Sequence, residues 1–399
     1  MMKSKFKHNL EFMVAGQSHD EKIILTIENI PAGYLIDFDR INDLLVKRQG
    51  NANFNTKRHE KTDFKIISGF NKINAGQQAT TNGQVIEVHF LNDDFKSFDY
   101  DNLLLHPRPG HVDYVAKIKY GDKHDLAGGG HFSGLLTVAL VFIGALCQQI
   151  LVNYFPKLKI ISHVKSFAGL TDISYYDLRK FLVDKLVTTD LQKLNQMQLQ
   201  LLALRLTDNL HKILLEGLHE ENIPTFNKRI GNLMLEKAEK LYDDSLGGQI
   251  ETIVLNPPSF MGEPLFYSTE SIISTLLFSI PSLKEVAFGN SEQFKVAYGT
   301  QVKDEIIFLD HKKLTTLNNN NGGINGGITN GEDLVFSSII KPIASLKQEQ
   351  NTYHLQEKKL MPLLIEGRHD LTIINRVLPI IDMVVYIALY DLFLEKVAD

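Results

Sequence analysis

The chain has 399 residues, 44% hydrophobic and 22% charged, an ordinary globular composition that excludes wholesale disorder. Forty-two Lys and Arg against 47 Asp and Glu give a net charge of -5, which argues against a dedicated nucleic-acid binder. The single cysteine, Cys147, rules out an internal disulfide or a cysteine-rich metal site and fits a reducing, cytoplasmic setting.

Residues 1–8 are basic with no apolar core behind them, unlike a secretory signal. Residues 22–30 (KIILTIENI) read as a strand closed by Pro31-Ala32-Gly33, and 37–48 as a helix capped by Asp37 or Asp39. Asn-rich sequence from Gly50 to Asp63 predicts a loop, and 84–91 alternates as a strand. A helix is expected from near Gly134 to before Pro156. Its dense apolar part, Leu135–Cys147, spans about 13 residues, short for a bilayer and better suited to a buried core. Residues 158–168 suggest a strand. Leu199, Leu202, Leu206, Leu210, Ile213 and Leu214 recur at helical spacing within a Leu-, Lys- and Gln-rich stretch, which predicts a helical hairpin whose stripe is core or subunit contact. Strands are expected at 249–255 and 332–340, and a helix at 268–278. The stretch 317–331 (LNNNNGGINGGITNG) reads as a linker, or as a glycine loop open to a ligand. Residues 372–396 form a strongly apolar helix broken by Arg376, Pro379 and Asp382.

The chain lacks a Walker phosphate loop, HExxH and GxSxG. His19, His111, His131 and His369 each lie among Gly, Pro or Ser residues. That pattern points to acid–base work near pH 7 rather than to a zinc site, because no two share metal-ligand spacing on a helix.

Read together, the segments resemble chorismate synthase. The matches run in order: Ala15-Gly16-Gln17-Ser18-His19, Ile30-Pro31-Ala32-Gly33, Arg48-Gln49-Gly50, then His106-Pro107-Arg108-Pro109-Gly110-His111-Val112-Asp113-Tyr114, the most specific of them. Lys119-Tyr120-Gly121, Gly128-Gly129-Gly130 and Ser133 follow. Asp244-Ser245-Leu246-Gly247-Gly248, Gly262-Glu263-Pro264, Ser279-Ile280-Pro281, the glycine tract 322–331, Lys341-Pro342 and Gly367-Arg368-His369-Asp370 complete the series, with Arg376 and Pro379 beyond it. One such motif is weak; so many in collinear order are not.

The resemblance implies an α+β fold: a single domain over 1–399 with a helical core between antiparallel sheets, a helical insertion over 175–225, and a homotetrameric assembly. It implies a cytoplasmic lyase of aromatic amino-acid biosynthesis, on the shikimate pathway. The enzyme would convert 5-enolpyruvylshikimate 3-phosphate to chorismate with reduced FMN, its flavin reduced by NADPH or by another source. No nucleic-acid or membrane partner is expected. By the same resemblance His19 protonates the departing phosphate, His111 protonates the reduced flavin, and Asp370 assists removal of the flavin N5 proton. Ser18 and Ser133 relay or orient. Arg48, Arg108 and Lys57 would serve the substrate, and Ser133, Gly326, Lys341, Ser345 and Arg368 the flavin.

The sequence also departs from the family pattern. Gln17 replaces a glutamate, Asp20 a glycine and Lys47 an arginine, and Phe54 sits where a basic loop is usual. His131-Phe132-Ser133-Gly134-Leu135-Leu136-Thr137 stands for Arg-x-Ser-Ala-Arg-Glu-Thr, so Leu135 and Leu136 replace an arginine and its acidic neighbour. Each lost charge-assisted contact to a bound anion removes roughly 1.5–3 kcal/mol. Two other readings therefore stand beside the enzyme: an FMN-binding protein without turnover, and an FMN enzyme for a less anionic substrate.

Overall fold

The computed structural model describes all residues except 1, 51–62, 73, 75–76, 93–104, 124, 126, 188–192, 220–221, 310–313, 366–369 and 399. Two five-stranded antiparallel sheets enclose a layer of helices. The first holds β1 (Lys3–Lys7), β2 (Glu11–Ala15), β3 (Lys22–Glu28), β4 (Phe64–Ser68) and β5 (Ile86–Leu91), in the order β1-β2-β3-β5-β4. The second holds β6 (Lys159–Phe167), β7 (Leu170–Thr171), β8 (Gly248–Leu255), β9 (Leu283–Phe288) and β10 (Leu334–Ile340), in the order β9-β10-β8-β6-β7. Alternation sets the inner faces: Ile23, Leu25 and Ile27 of β3 are buried while their neighbours are less so, as the period of two requires.

The helices between the sheets are α1 (Phe38–Gln49), α3 (Thr137–Tyr154), α7 (Thr269–Leu277) and α8 (Ile374–Ala398); α2 (Asp113–Tyr120) lies in the segment between the first sheet and α3. Asp37 caps α1, accepting from the backbone N–H groups of Asp39 and Arg40, and Gln149 of α3 brackets the same residue through Asp37 N and O. One continuous hydrophobic core joins both sheets to α3 and α8. The two long helices approach so closely that a Cβ on Gly144 would stand 2.3 Å from the Met383 carbonyl oxygen.

Helix α3 begins at Thr137, preceded by a 3-10 turn at Gly134–Leu136, and ends before Pro156 as predicted. By length and composition two helices could cross a membrane, Gly134–Tyr154 and Ile374–Lys396, so the expectation that the first is too short does not hold. Their apolar windows are 78% and 83% buried inside the protein, where each packs on the other. Helix α8 is also unbroken. Pro379 forfeits one backbone hydrogen bond and costs about 3 kcal/mol. Val377, Leu378, Ile380 and Ile381 around it are all buried, each contributing about 1.5–3 kcal/mol, which outweighs that cost. Asp382 accepts from Ser162 Oγ at 2.5 Å and so is held without interrupting the helix.

Helices α4 (Tyr175–Leu186), α5 (Gln196–Glu216) and α6 (Lys228–Glu239) fill the Leu-rich stretch. The stripe Leu206, Leu210 and Leu214 packs with Tyr175 and Leu182 of α4 on Ile161, Ile253 and Val335 of the second sheet, so it is core. The tract 317–331 is not a linker but an ordered part of the fold. Asn319 is buried and donates to Asp333 O, Gly323 N donates to Asn319 Oδ1, and Ile324–Asn325 pairs with Ile328–Thr329 as a tight hairpin. Gly322 has φ +63°, and a Cβ there would meet Val335 O at 2.7 Å. The glycines admit the protein's own backbone. The loop expected at Gly50–Asp63 lies almost wholly outside the described residues.

Candidate active site

A cavity of about 900 Å³ opens at one end of the helical layer. Its wall comes from segments far apart in the chain: β1, β2, the turns at 108–112 and 129–137, the end of α7, residues 341–345 and the start of α8. His19, His111 and Asp370 all reach it, as do Arg48, Arg108, Ser133, Lys341 and Ser345.

The turn before α2 carries the densest network. Arg108 Nε and Nη2 lie 2.7 and 2.8 Å from the two oxygens of Asp113, and Arg108 N donates to Asp113 Oδ2 at 3.0 Å. Arg108 Nη1 donates to Ser345 Oγ at 3.1 Å. His111 Nδ1 lies 2.6 Å from Asp113 Oδ1. Burial works against the Asp113 carboxylate, yet Arg108 and His111 overcome it and hold its pKa well below the usual range. Burial, with Arg108 and Lys341 nearby, lowers the His111 pKa despite Asp113. Arg108 lines the cavity, where the resemblance expects a substrate clamp. Its guanidinium is committed to Asp113 and Ser345, and Ser345 is its acceptor.

His19 follows Ser18 at the end of β2. Ser18 is fully buried and does not reach the cavity wall; its Oγ lies 3.1 Å from His19 Nδ1, and its N–H donates to Gly130 O. It orients the ring from behind. Ser133 caps the 3-10 turn by accepting from Leu135 N, and still faces the cavity. Arg48 is buried at the end of α1; its Nη1 lies 3.3 Å from Thr137 Oγ1. Asp370 pairs with Arg376, Oδ2 to Nη1 at 2.9 Å, and Arg376 Nε lies 3.4 Å from Arg48 O. Lys341 donates to Gly110 O at 2.5 Å, and its pKa is lowered first by burial and then by Lys284, which shares the wall.

Among the described residues, six cationic side chains line the cavity (Lys5, Arg48, Arg108, Lys284, Lys341 and Arg376) against one carboxylate, Asp370. Such a wall suits a polyanion. The same cavity is also lined by apolar side chains, among them Leu135, Leu136, Leu140, Val377 and Ile380. His131 also lines the cavity; its Nδ1 lies 2.6 Å from Gly16 O and its Nε2 2.8 Å from Ser4 Oγ. Gly326 does not line this cavity. It sits exposed at the tip of the 324–329 hairpin, and a Cβ added there would find nothing within 4 Å. Lys57, Arg58, Phe54 and Arg368 lie outside the described residues. Asp113 and Lys284 received no role from the sequence. An acid two residues after His111 was the only available signal for the first, and nothing in the local pattern marked the second.

The chorismate synthase family model matches residues 10–394. The chain belongs to the chorismate synthase family. A chorismate synthase of Chitinophaga pinensis is 32% identical over 382 residues, 96% of this chain and 93% of the relative. One of Pyrococcus abyssi is 30% identical, covering 96% and 95%, and one of Lancefieldella parvula 29%, covering 98% and 96%. A crystal structure of chorismate synthase superposes with a TM-score of 0.60 at 23% identity, over 97% of this chain and 92% of that one, and shares the α+β fold. Leu135 and Leu136, where the resemblance leads one to expect an arginine and its acidic neighbour, lie on the cavity wall.

Proposed function

We propose that this chain is a working chorismate synthase that eliminates phosphate and a ring hydrogen from 5-enolpyruvylshikimate 3-phosphate in the anti-1,4 sense, giving chorismate, with reduced FMN as cofactor. The observation that carries the reading is that His19, His111 and Asp370, from three distant segments, line one cavity with six cationic side chains. The substrate brings a phosphate and two carboxylates, which need such cations. The residues fit the flavin as well. Lys341 and Lys284 form a cationic edge for its phosphate, and the apolar wall suits a flat ring in a volume within the roughly 300–1,000 Å³ of small-molecule sites.

Reduced FMN, when bound, supplies an electron-rich ring that must be kept from water. The chain does the remainder. His19, backed by Ser18, holds a proton for the departing phosphate. Arg48 and Arg376 bind the anionic groups. His111, with Nδ1 against Asp113, turns its other ring nitrogen to the cavity to exchange a proton there, and Asp370, steadied by Arg376, presents a carboxylate. The apolar wall excludes water and strengthens each of these charges. We place the enzyme in the cytoplasm as a homotetramer, the assembly implied by its resemblance to the family.

One observation favours a second reading, an FMN-binding relative without turnover: the cavity wall is leucine at 135 and 136. A single assay separates the two. The protein is mixed anaerobically with chemically reduced FMN and the enolpyruvyl substrate, and chorismate is followed by absorbance. Chorismate formation is the expected result. FMN binding with no product overturns it in favour of the second reading.

A further inference from the structure

Asp113 is 2% exposed and stands behind the cavity wall rather than in it. It nevertheless gathers four contacts: three from Arg108 and one from the His111 ring. A carboxylate has no hydrogen to give, so at 2.6 Å the proton of that last contact belongs to His111 Nδ1. Neutral His111 must then carry its lone pair on Nε2. That nitrogen lies 3.8 Å from the Cβ position of Gly129, which lines the cavity with Ser133.

We propose that Asp113 is a positioning residue, which fixes the tautomer and the direction of His111 so that Nε2 exchanges protons with the cavity. Arg108 completes the device. Its planar fork holds both carboxylate oxygens, and its third arm rests on Ser345, so the acceptor cannot turn away from the imidazole. The carboxylate also steadies the imidazolium when Nε2 is protonated. Arg108 and Lys341 act in the opposite sense, and among the described residues these three are the charged groups that act on the ring. The nitrogen opposite Asp113 can therefore take up a proton and give it back with the carboxylate holding the ring in place. This inference rests on the reading of His111 as a proton donor.

The first test needs no variant. The whole protein without cofactor, labelled with ¹⁵N-histidine, is examined by NMR through the ring nitrogens. A neutral His111 with its hydrogen on Nδ1 is expected, assigned by the loss of its signals in His111→Gln. A neutral ring with its hydrogen on Nε2 overturns the proposal. The second test is Asp113→Asn, with the fold checked by circular dichroism and thermal melting. It is expected to mix the two tautomers and to lower kcat about 100-fold or more with KM changed little, the scale of general acid–base catalysis. Asp113→Glu, which keeps the acceptor, should retain the Nδ1–H tautomer and recover part of kcat. A purely structural Asp113 would lower the melting temperature of both variants while leaving the tautomer and kcat unchanged, and that outcome also overturns the proposal. Full turnover in His111→Gln would instead remove the reading of His111 itself, leaving the tautomer measurement on the unmodified protein to judge Asp113 alone.

Discussion

Arg376 Nη1 lies 2.9 Å from Asp370 Oδ2 at the cavity wall, and both side chains are mostly buried. The pair joins the start of α8 to the segment before it, and Arg376 Nε reaches back to the carbonyl of Arg48. A guanidinium here does two things: it holds the carboxylate in place and adds positive charge where an anion must sit. Arg376→Ala removes both. A charge-assisted contact contributes about 1.5–3 kcal/mol, so kcat/KM is expected to fall about 10- to 100-fold. Arg376→Lys keeps the charge but not the fork and should fall less. Steady-state kinetics with reduced FMN checks this; unchanged kcat/KM in the alanine variant would show that the pair serves the fold alone.

Leu135 and Leu136 give the opposite experiment. They face the cavity while partly packed against the core, so a polar replacement at either costs some apolar burial. Leu135→Arg with Leu136→Glu adds a cation beside the polyanion and gives that cation a neighbouring carboxylate, which avoids an unpaired charge in a dry wall. Substrate affinity is expected to rise about tenfold, measured as a lower Kd by titration. If affinity stays the same or weakens, the cations already present suffice and the leucine wall is not what limits substrate binding.

Much of this arrangement was readable in the sequence, and the remainder has identifiable physical causes. The strands around Lys22–Glu28 and Ile86–Leu91 and the core helices declared themselves through periodicity, because burial on one face imposes it. Strand β1 did not. KSKFK is an edge strand with four exposed positions, held by pairing to β2 from Lys3–Ala15 to Lys7–Glu11, and such pairing leaves no local signature. The continuity of α8 through Pro379 was hidden for the same reason, since tertiary burial outweighs a local penalty. At the site, the resemblance singled out His19, His111, Asp370 and Arg108, but motif position says nothing about which partners a guanidinium has within the protein. Only the geometry reveals that Asp113 occupies it.

Far from the cavity, His163 offers a test of stability against pH. It is fully buried between Asp172 and Glu251, which lie 3.2 and 3.0 Å from its two ring nitrogens. Burial opposes the charged ring, but the two carboxylates overcome it and raise the His163 pKa; in turn the Asp172 and Glu251 pKa values are lowered against their own burial. A raised histidine stabilises the fold fully below its unfolded value near about 6.5 and loses that contribution as pH climbs through the folded value. The lowered carboxylates contribute above about 4 and lose it as pH falls. The cluster should therefore stabilise most between about pH 5 and 6.5. His163→Gln is expected to melt well below the unmodified protein at pH 6, breaking a buried pair worth about 3–5 kcal/mol, with the gap narrowing by pH 9. A gap that stays constant across that range would show that the ring is neutral in the fold.

The last prediction concerns the contact that holds the two sheets' shared core together. Gly144 lies mid-way along α3, where a helix former would ordinarily be favoured over glycine by about 1 kcal/mol. Here the preference is reversed by proximity. A Cβ at 144 would meet Met383 O at 2.3 Å and Met383 Cβ at 2.4 Å, and one of those contacts is backbone of α8, which cannot turn aside as a side chain could. Gly144→Ala must push α3 and α8 apart, opening the core on both sides of the seam. Overpacking of this kind costs about 1–3 kcal/mol or more, so the net effect should be a clear drop in melting temperature despite the better helix former. The same displacement moves Thr137 at the head of α3 and Arg376 at the head of α8 relative to each other, and both line the cavity. Calorimetry on the variant, with FMN and substrate titrations beside it, is expected to show weakened binding together with lower stability. An alanine variant that melts at or above the unmodified protein would mean that the helices are not in the close contact described.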